Sequence, residues 1–377
     1  MFDQKQLVRK YCSCDLIAQQ KNNPIEPINR TILKRANIMK TISTILTSAV
    51  FASLTSVASA QPINAPAPTA GVQAFLDVLN SGKGKPIEQM TPQEARQVLI
   101  GAQQGVKLPA AQVSEKIIKV NGQAITLKIV KPENASGTLP VFMFFHGGGW
   151  VLGDFPTHER LIRDLVRASG AAAVYVDYTP SPEARFPVAI NQAYEATQWV
   201  AEHGQEIGVD GSRLALVGNS VGGNMVASVA LQAKQFGGPK IRYNVMLWPV
   251  TDANFDNASY NQYEKGYFLT KNMMKWFWDN YTTRAADRNN ILASPLRAST
   301  EQLKGFPQTL IQTAELDVLR DEGEAFGRKL DAAGVPVTVT RYNGMIHDYG
   351  LLNPLSEEPT VITALEQAGA ELQKHLK

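Results

Sequence analysis

The chain is 377 residues long, is 44% hydrophobic and carries a formal net charge of +3. That length and apolar content support a large buried core and exclude a fibrous or disordered chain. The charge is uneven: residues 1–60 hold eight Lys/Arg against three Asp/Glu, so the remainder carries −2. With no basic stripe on that body, nucleic acid is excluded as a partner.

Met39-Lys40 opens a positive segment, Ile42 to Leu54 is apolar but diluted by Ser and Thr, and Ala58-Ser59-Ala60 gives a small-x-small cleavage pattern. Residues 39–60 therefore read as a signal peptide. Residues 1–38, polar and Asn-rich, read as an over-extended or disordered N-terminus ahead of a true start at Met39. The expected mature chain begins at Gln61 and is exported, to the periplasm or beyond. It has no stable membrane span, because the apolar stretch is too short and too polar. Both cysteines, Cys12 and Cys14, fall in the removed segment. The expected mature chain has no disulfide, thiol nucleophile or cysteine metal site.

Gln61 to Ala70 reads as a Pro/Ala linker and Val72 to Leu108 as helical. Val113–Val120 and Gln123–Val130 flank Asn121-Gly122, a dipeptide that favours a two-residue hairpin turn. Leu139–Phe145 is a continuous apolar run, as in a strand buried on both faces. Helix and strand then alternate. Thr157–Ser169 reads as helix, Ala171–Tyr178 as strand, Val188–His203 as helix and Arg213–Gly218 as strand. A helix follows Ser220, then a strand at Tyr243–Val250. Thr309–Ala314 is strand, Glu322–Ala333 helix, Pro336–Tyr342 strand, and Pro359–Leu376 a closing amphipathic helix. The pattern predicts an α/β fold: a mostly parallel central sheet, begun by an antiparallel hairpin, with helices on both faces.

Thr251 to about Phe306 separates two strands by far more than a normal crossover. It contains Tyr260, Tyr263, Tyr267, Phe268, Trp276, Phe277, Trp278 and Tyr281. Such an insertion reads as a lid over the strand ends or as a small core of its own.

Two motifs carry chemistry. His146-Gly147-Gly148-Gly149-Trp150 follows the buried strand, and Gly218-Asn219-Ser220-Val221-Gly222 follows the strand ending at Gly218. The second reads G-x-S-x-G, a serine held on a tight strand-to-helix turn. A helix N-cap would also explain Ser220. The first removes side chains so that backbone N–H groups can face a developing negative oxygen; Gly148, Gly149 and Val221 are the candidate donors. Acyl transfer by serine also needs a base and a carboxylate to orient it. Of five histidines, His347 lies in a loop past the last strand and is the candidate base. His146 serves its loop, and His158, His203 and His375 read as solvated surface residues. Asp317, just past Thr309–Ala314, is the candidate acid. Glu315, Asp321 and Glu322 are rivals, the last two better explained as acidic residues favoured in a helix's first turn. Trp150, Tyr178 and Trp248 suit a pocket wall or the core equally. No His-Glu-x-x-His or similar ligand cluster suggests a metal.

These residues resemble the bacterial hormone-sensitive-lipase family of α/β-hydrolase esterases. His146–Trp150, Gly218–Gly223, Asp317–Gly323 and His347 match. So does Tyr178-Thr179-Pro180-Ser181-Pro182-Glu183 with Phe186-Pro187, against the family's Tyr-x-x-Ala-Pro-Glu…Phe-Pro. The resemblance implies the α/β-hydrolase fold and a carboxylesterase with Ser220, Asp317 and His347 as its triad. It also implies short to medium acyl esters as small-molecule substrates and no cofactor. A helical cap from about 61–110 and 251–306 is implied as well. The family's Asp-Ser-Ala is here Asn219-Ser220-Val221, which removes a charge beside the serine and adds bulk next to an oxyanion donor. An amidase or lactonase with the same triad, or a non-catalytic binding scaffold, are the alternatives; the intact triad disfavours the last.

Overall fold

The computed structural model describes residues 65–377. The expected signal peptide at 39–60 and start at Met39 lie outside the described residues. The strands are β1 (Ala111–Val120), β2 (Gln123–Pro132), β3 (Leu139–Phe145), β4 (Ala172–Asp177), β5 (Val209–Asn219), β6 (Tyr243–Leu247), β7 (Thr309–Leu316) and β8 (Val337–Ile346). They form one sheet in the order β1-β2-β4-β3-β5-β6-β7-β8. β1 and β2 pair antiparallel across Asn121-Gly122. Both turn residues have positive φ, 48° and 81°, as the primed hairpin turn demands. β2 is also antiparallel to β4, and every pairing from β4 to β8 is parallel.

The helices are α1 (Ala70–Ser81), α2 (Pro92–Ala102), α3 (Phe155–Ser169), α4 (Val188–His203) and α5 (Val221–Phe236). The insertion holds α6 (Ala258–Gln262), α7 (Lys271–Tyr281), α8 (Ala285–Arg288) and α9 (Thr300–Leu303). α10 (Arg320–Ala332) and α11 (Pro359–His375) complete the set. The centre of the sheet is the core: Val141–Phe145 and Leu214–Val217 are all fully buried, which is why these segments read as unbroken apolar runs.

Several boundaries differ from expectation. The single helical region at 72–108 is two helices. Gly82, Gly84 and Pro86 break it, and the Thr91 capping box with Glu94 starts the second. The strand expected to reach Val250 stops at Leu247, because Trp248 takes φ 37°. β8 runs past Tyr342 to Ile346, so His347 stands immediately at its end.

One topological fact positions the site. From β3 the chain leaves to β4 on one side, while β5 pairs on the other. At such a reversal a crevice opens beyond the carboxyl ends of the strands. The register pairs Phe145 with Gly218. The chain leaves β3 as His146-Gly147-Gly148-Gly149 beside the point where it leaves β5 as Asn219-Ser220.

Candidate active site

Ser220 sits at φ 55°, ψ −120°, a conformation that costs a non-glycine residue about 1–3 kcal/mol. Its surroundings impose it. The Ser220 N–H donates to Leu247 O at 2.9 Å, and Ser220 O accepts from Val250 N at 3.1 Å. A Cβ at Gly222 would collide with the carbonyl oxygen of Phe145, so only glycine lets the helix start this close to β3. Ser220 does not cap α5 through its side chain. Its Oγ instead lies 3.0 Å from His347 Nε2, which sets the N-cap reading aside.

His347 Nδ1 lies 2.7 Å from Asp317 Oδ2, and Asp317 Oδ1 accepts from Leu319 N at 3.0 Å. All three side chains are buried. Burial alone would depress the His347 pKa; the Asp317 carboxylate, aided by Asp348, outweighs it and holds the imidazole above its ordinary value. The rival acids are engaged elsewhere. Glu315 accepts from Gly344 N and Asp321 from Ser259 N. Glu322 accepts from Thr251 N and Asp252 N. Asp321 and Glu322 both stand in the first turn of α10, as expected, but Glu322 does not face solvent there. It is buried, and burial pushes its carboxyl pKa well up.

The glycine loop takes backbone shapes open to few side chains: φ is 101° at Gly148 and 66° at Gly149. A Cβ at Gly149 would also collide with the Phe277 ring from α7. Among the described residues no other protein group accepts a hydrogen bond from the N–H of Gly148, Gly149 or Val221. These three N–H groups remain the candidate donors. His146 braces the loop from below. It stacks on Tyr178 at 4.1 Å, and the Tyr178 hydroxyl donates to His146 O at 2.9 Å. Burial pulls the His146 pKa down to about 4, so the ring is neutral at pH 7. Trp150, Tyr178 and Trp248 are all buried and act as packing around the loops.

His158 departs from expectation. It is wholly buried, 5.3 Å from the His146 ring, because α3 turns that face onto the sheet. His375 packs on Tyr243 at 4.1 Å. His203 is exposed, as predicted.

Asp348 is the group that sequence reasoning missed. Its Oδ1 accepts from Trp248 Nε1 at 2.7 Å and from Asn219 Nδ2 at 3.1 Å, and its Oδ2 lies 3.8 Å from His347 Nε2. Asn219 Oδ1 in turn accepts from Gly147 N at 3.0 Å. The amide at position 219 therefore bridges the glycine loop and the histidine loop, a role that depends on three separate strand ends. The only sequence signal was adjacency to His347.

No helix among the described residues is long and apolar enough to cross a membrane. The expected cap segments meet: Asn80 Nδ2 donates to Gly266 O at 3.1 Å, and Phe75 packs on Phe268.

A mostly parallel sheet with a strained serine on one strand end, and an imidazole and carboxylate aligned behind it, defines a hydrolase of the α/β class. A family model described as an α/β hydrolase fold matches residues 142–351, and the chain belongs to that hormone-sensitive-lipase-like family. It is 30% identical to an ethyl acetate hydrolase of Pseudomonas putida, over 78% of this chain and 97% of that protein. It is 32% identical to carboxylesterase NlhH of Mycobacterium tuberculosis, over 67% of this chain and 81% of that one. A crystal structure of a thermostable esterase from Pseudomonas putida superposes with a TM-score of 0.82 at 66% identity, covering 83% of this chain and 99% of that chain. Fungal and archaeal esterases also match. The chain is a carboxylic-ester hydrolase.

Proposed function

We propose that the protein is a serine carboxylesterase acting on esters of short acyl chains, with Ser220 as nucleophile, His347 as general base and Asp317 as its orienting acid. The observation that carries this reading is the continuous row from Ser220 Oγ to His347 Nε2 at 3.0 Å and from Nδ1 to Asp317 at 2.7 Å. Ser220 Oγ attacks the ester carbonyl as its proton passes to Nε2. The carbonyl oxygen becomes an oxyanion that accepts from the N–H groups of Gly148, Gly149 and Val221, aided by the positive end of α5. Collapse expels the alcohol, which takes the proton from Nε2. Water then repeats the sequence on the acyl-enzyme, releasing the acid and restoring Ser220. Asp317 stays ionised, holding Nδ1–H and stabilising the imidazolium.

The short-chain preference rests on two bulky neighbours of the oxyanion donors. Val221 is wholly buried and stiff at χ1, and Phe277 lies against Gly149. The cap is assigned to about 61–110 and 251–306. Export is part of the proposal and rests on the Met39–Ala60 pattern; N-terminal sequencing of the native protein, expected to begin near Gln61, tests it.

The deciding experiment is a p-nitrophenyl ester series from acetate to palmitate. Ser220→Ala should lose ~10⁴-fold or more in kcat while remaining folded; a variant keeping a tenth of the activity removes Ser220 as nucleophile. Val221→Ala should gain on long chains relative to acetate, roughly tenfold, since one methylene in an apolar pocket is worth about 1–3 kcal/mol. An unchanged ratio removes Val221 as the chain-length determinant.

A further inference from the structure

Arg96 lies on α2, far in sequence from every motif above, yet its guanidinium reaches the glycine loop. Nε donates to Val151 O at 2.7 Å and Nη2 to Ser181 O at 3.0 Å. Both terminal nitrogens also grip Glu183, at 2.8 and 2.7 Å. Val151 stands two residues past Gly149, and its N–H closes the loop on Gly148 O at 3.1 Å. Ser181 N donates to Trp150 O at 2.7 Å. One planar fork thus ties together the two segments that enclose Trp150. The same helix ends at Gln103, which is buried. Its Nε2 donates to Thr157 O at 3.0 Å and to Leu351 O at 2.8 Å, and its Oε1 accepts from Asn353 N at 3.1 Å. Leu351 lies four residues past His347.

We propose that α2 is a positioning element for catalysis, and that Arg96 is the residue through which it sets the oxyanion-donor geometry. Building on the serine-esterase reading, the inference adds a residue outside both motifs. Arg96 makes no contact with the reacting groups; it acts through Val151 and Ser181. The five donors of a guanidinium, fixed in one plane, can serve two carbonyls and a carboxylate at once. A lysine ammonium on a flexible stem cannot hold all three in that geometry. The loop carries strain at Trp150, whose φ is 59°, so it needs an external hold. Displacing oxyanion donors weakens the transition state more than the bound ester, which is read as a fall in kcat at nearly constant KM.

The test compares Arg96→Ala, Arg96→Lys and Glu183→Gln on p-nitrophenyl acetate, with inhibition by a trifluoromethyl ketone as a probe of the oxyanion site. Arg96→Ala should lose on the order of tenfold or more in kcat, with KM within about twofold. Its affinity for the trifluoromethyl ketone should fall in parallel with kcat, and added guanidinium should restore part of the rate. Arg96→Lys should show the same split, and it carries the test if the alanine variant does not fold. Glu183→Gln should keep most of kcat, because the two carbonyl contacts survive. The proposal is overturned if Arg96→Lys keeps full kcat. It is also overturned if Glu183→Gln loses as much as Arg96→Ala, or if Arg96→Ala lowers only the melting temperature. A wild-type protein without esterase activity would instead remove the underlying reading.

Discussion

The imidazole of His347 is set by opposing influences. Burial disfavours its charged form, while the carboxylates of Asp317 and Asp348 favour it and prevail. In the proposed mechanism His347 must be neutral to accept the serine proton, so kcat/KM should fall as pH drops through this pKa. The acid limb of the kcat/KM profile should therefore be centred above the ordinary histidine value of 6.5. A midpoint below it would contradict the arrangement. Asp317→Asn should cost far more activity than Asp321→Asn, since Asp321 serves Ser259 N and the Arg320 side chain. The residue types and chain order of Ser220, Asp317 and His347 were readable because acyl transfer restricts which side chains can act. The bridge from Asn219 to Asp348 was not. It joins residues 129 positions apart, and an amide beside a serine says nothing about which loop it will meet.

At the scale of elements, one of the four helices in the aromatic insertion has a definite packing task. α7 lays Tyr281 parallel on Trp150 at 3.7 Å and Trp278 edge-on to the same ring at 5.1 Å. Phe186 packs edge-on to Tyr281 from the opposite segment. The glycine loop is held both by this stack on Trp150 and by Arg96 on Val151 O. The Tyr281 hydroxyl is buried without a partner among the described residues, so the ring contributes through packing. Tyr281→Phe should change unfolding free energy by less than about 1 kcal/mol. Tyr281→Ala should lose roughly 3–5 kcal/mol and reduce esterase activity as the Trp150 support goes. Denaturant unfolding of the two variants checks this; equal losses would show that the hydroxyl matters. The insertion's aromatic content was legible; the packing of Tyr281 and Trp278 on Trp150 was not. The break between α1 and α2 follows from glycine and proline punctuation. The short β6 does not, because the turn at Trp248 is imposed by its hydrogen bonds to Gln312 and Asp348.

For the whole molecule, buried ionisable groups make stability depend on pH in two directions. His146 and His158 are held neutral by burial, so acid opposes the fold through them. Glu322 works the other way. Burial raises its pKa well above the ordinary 4.5. Its contribution is complete below that value and is lost as pH rises through the folded pKa. Glu322→Gln keeps an oxygen for Thr251 N and Asp252 N without a titrating proton. The variant should match wild type near pH 4. It should gain on wild type as pH rises, by up to about 1.4 kcal/mol per pH unit before levelling. Paired denaturation curves across that range measure the difference, and a constant difference would contradict the burial argument.

The α/β class and the sheet's mixed opening were determined by the sequence itself, because hydrophobic period and turn chemistry are local properties. So were the two glycine motifs, since backbones that approach as closely as these leave no room for side chains wherever they meet. The tertiary structure alone decided which carboxylate faces His347, that His158 and Glu322 are buried, and that Asp348 and Arg96 reach the active-site loops. Those outcomes depend on which strand ends and helix faces become neighbours. That is settled by the packing of segments from 30 to 129 residues apart, which no local pattern encodes.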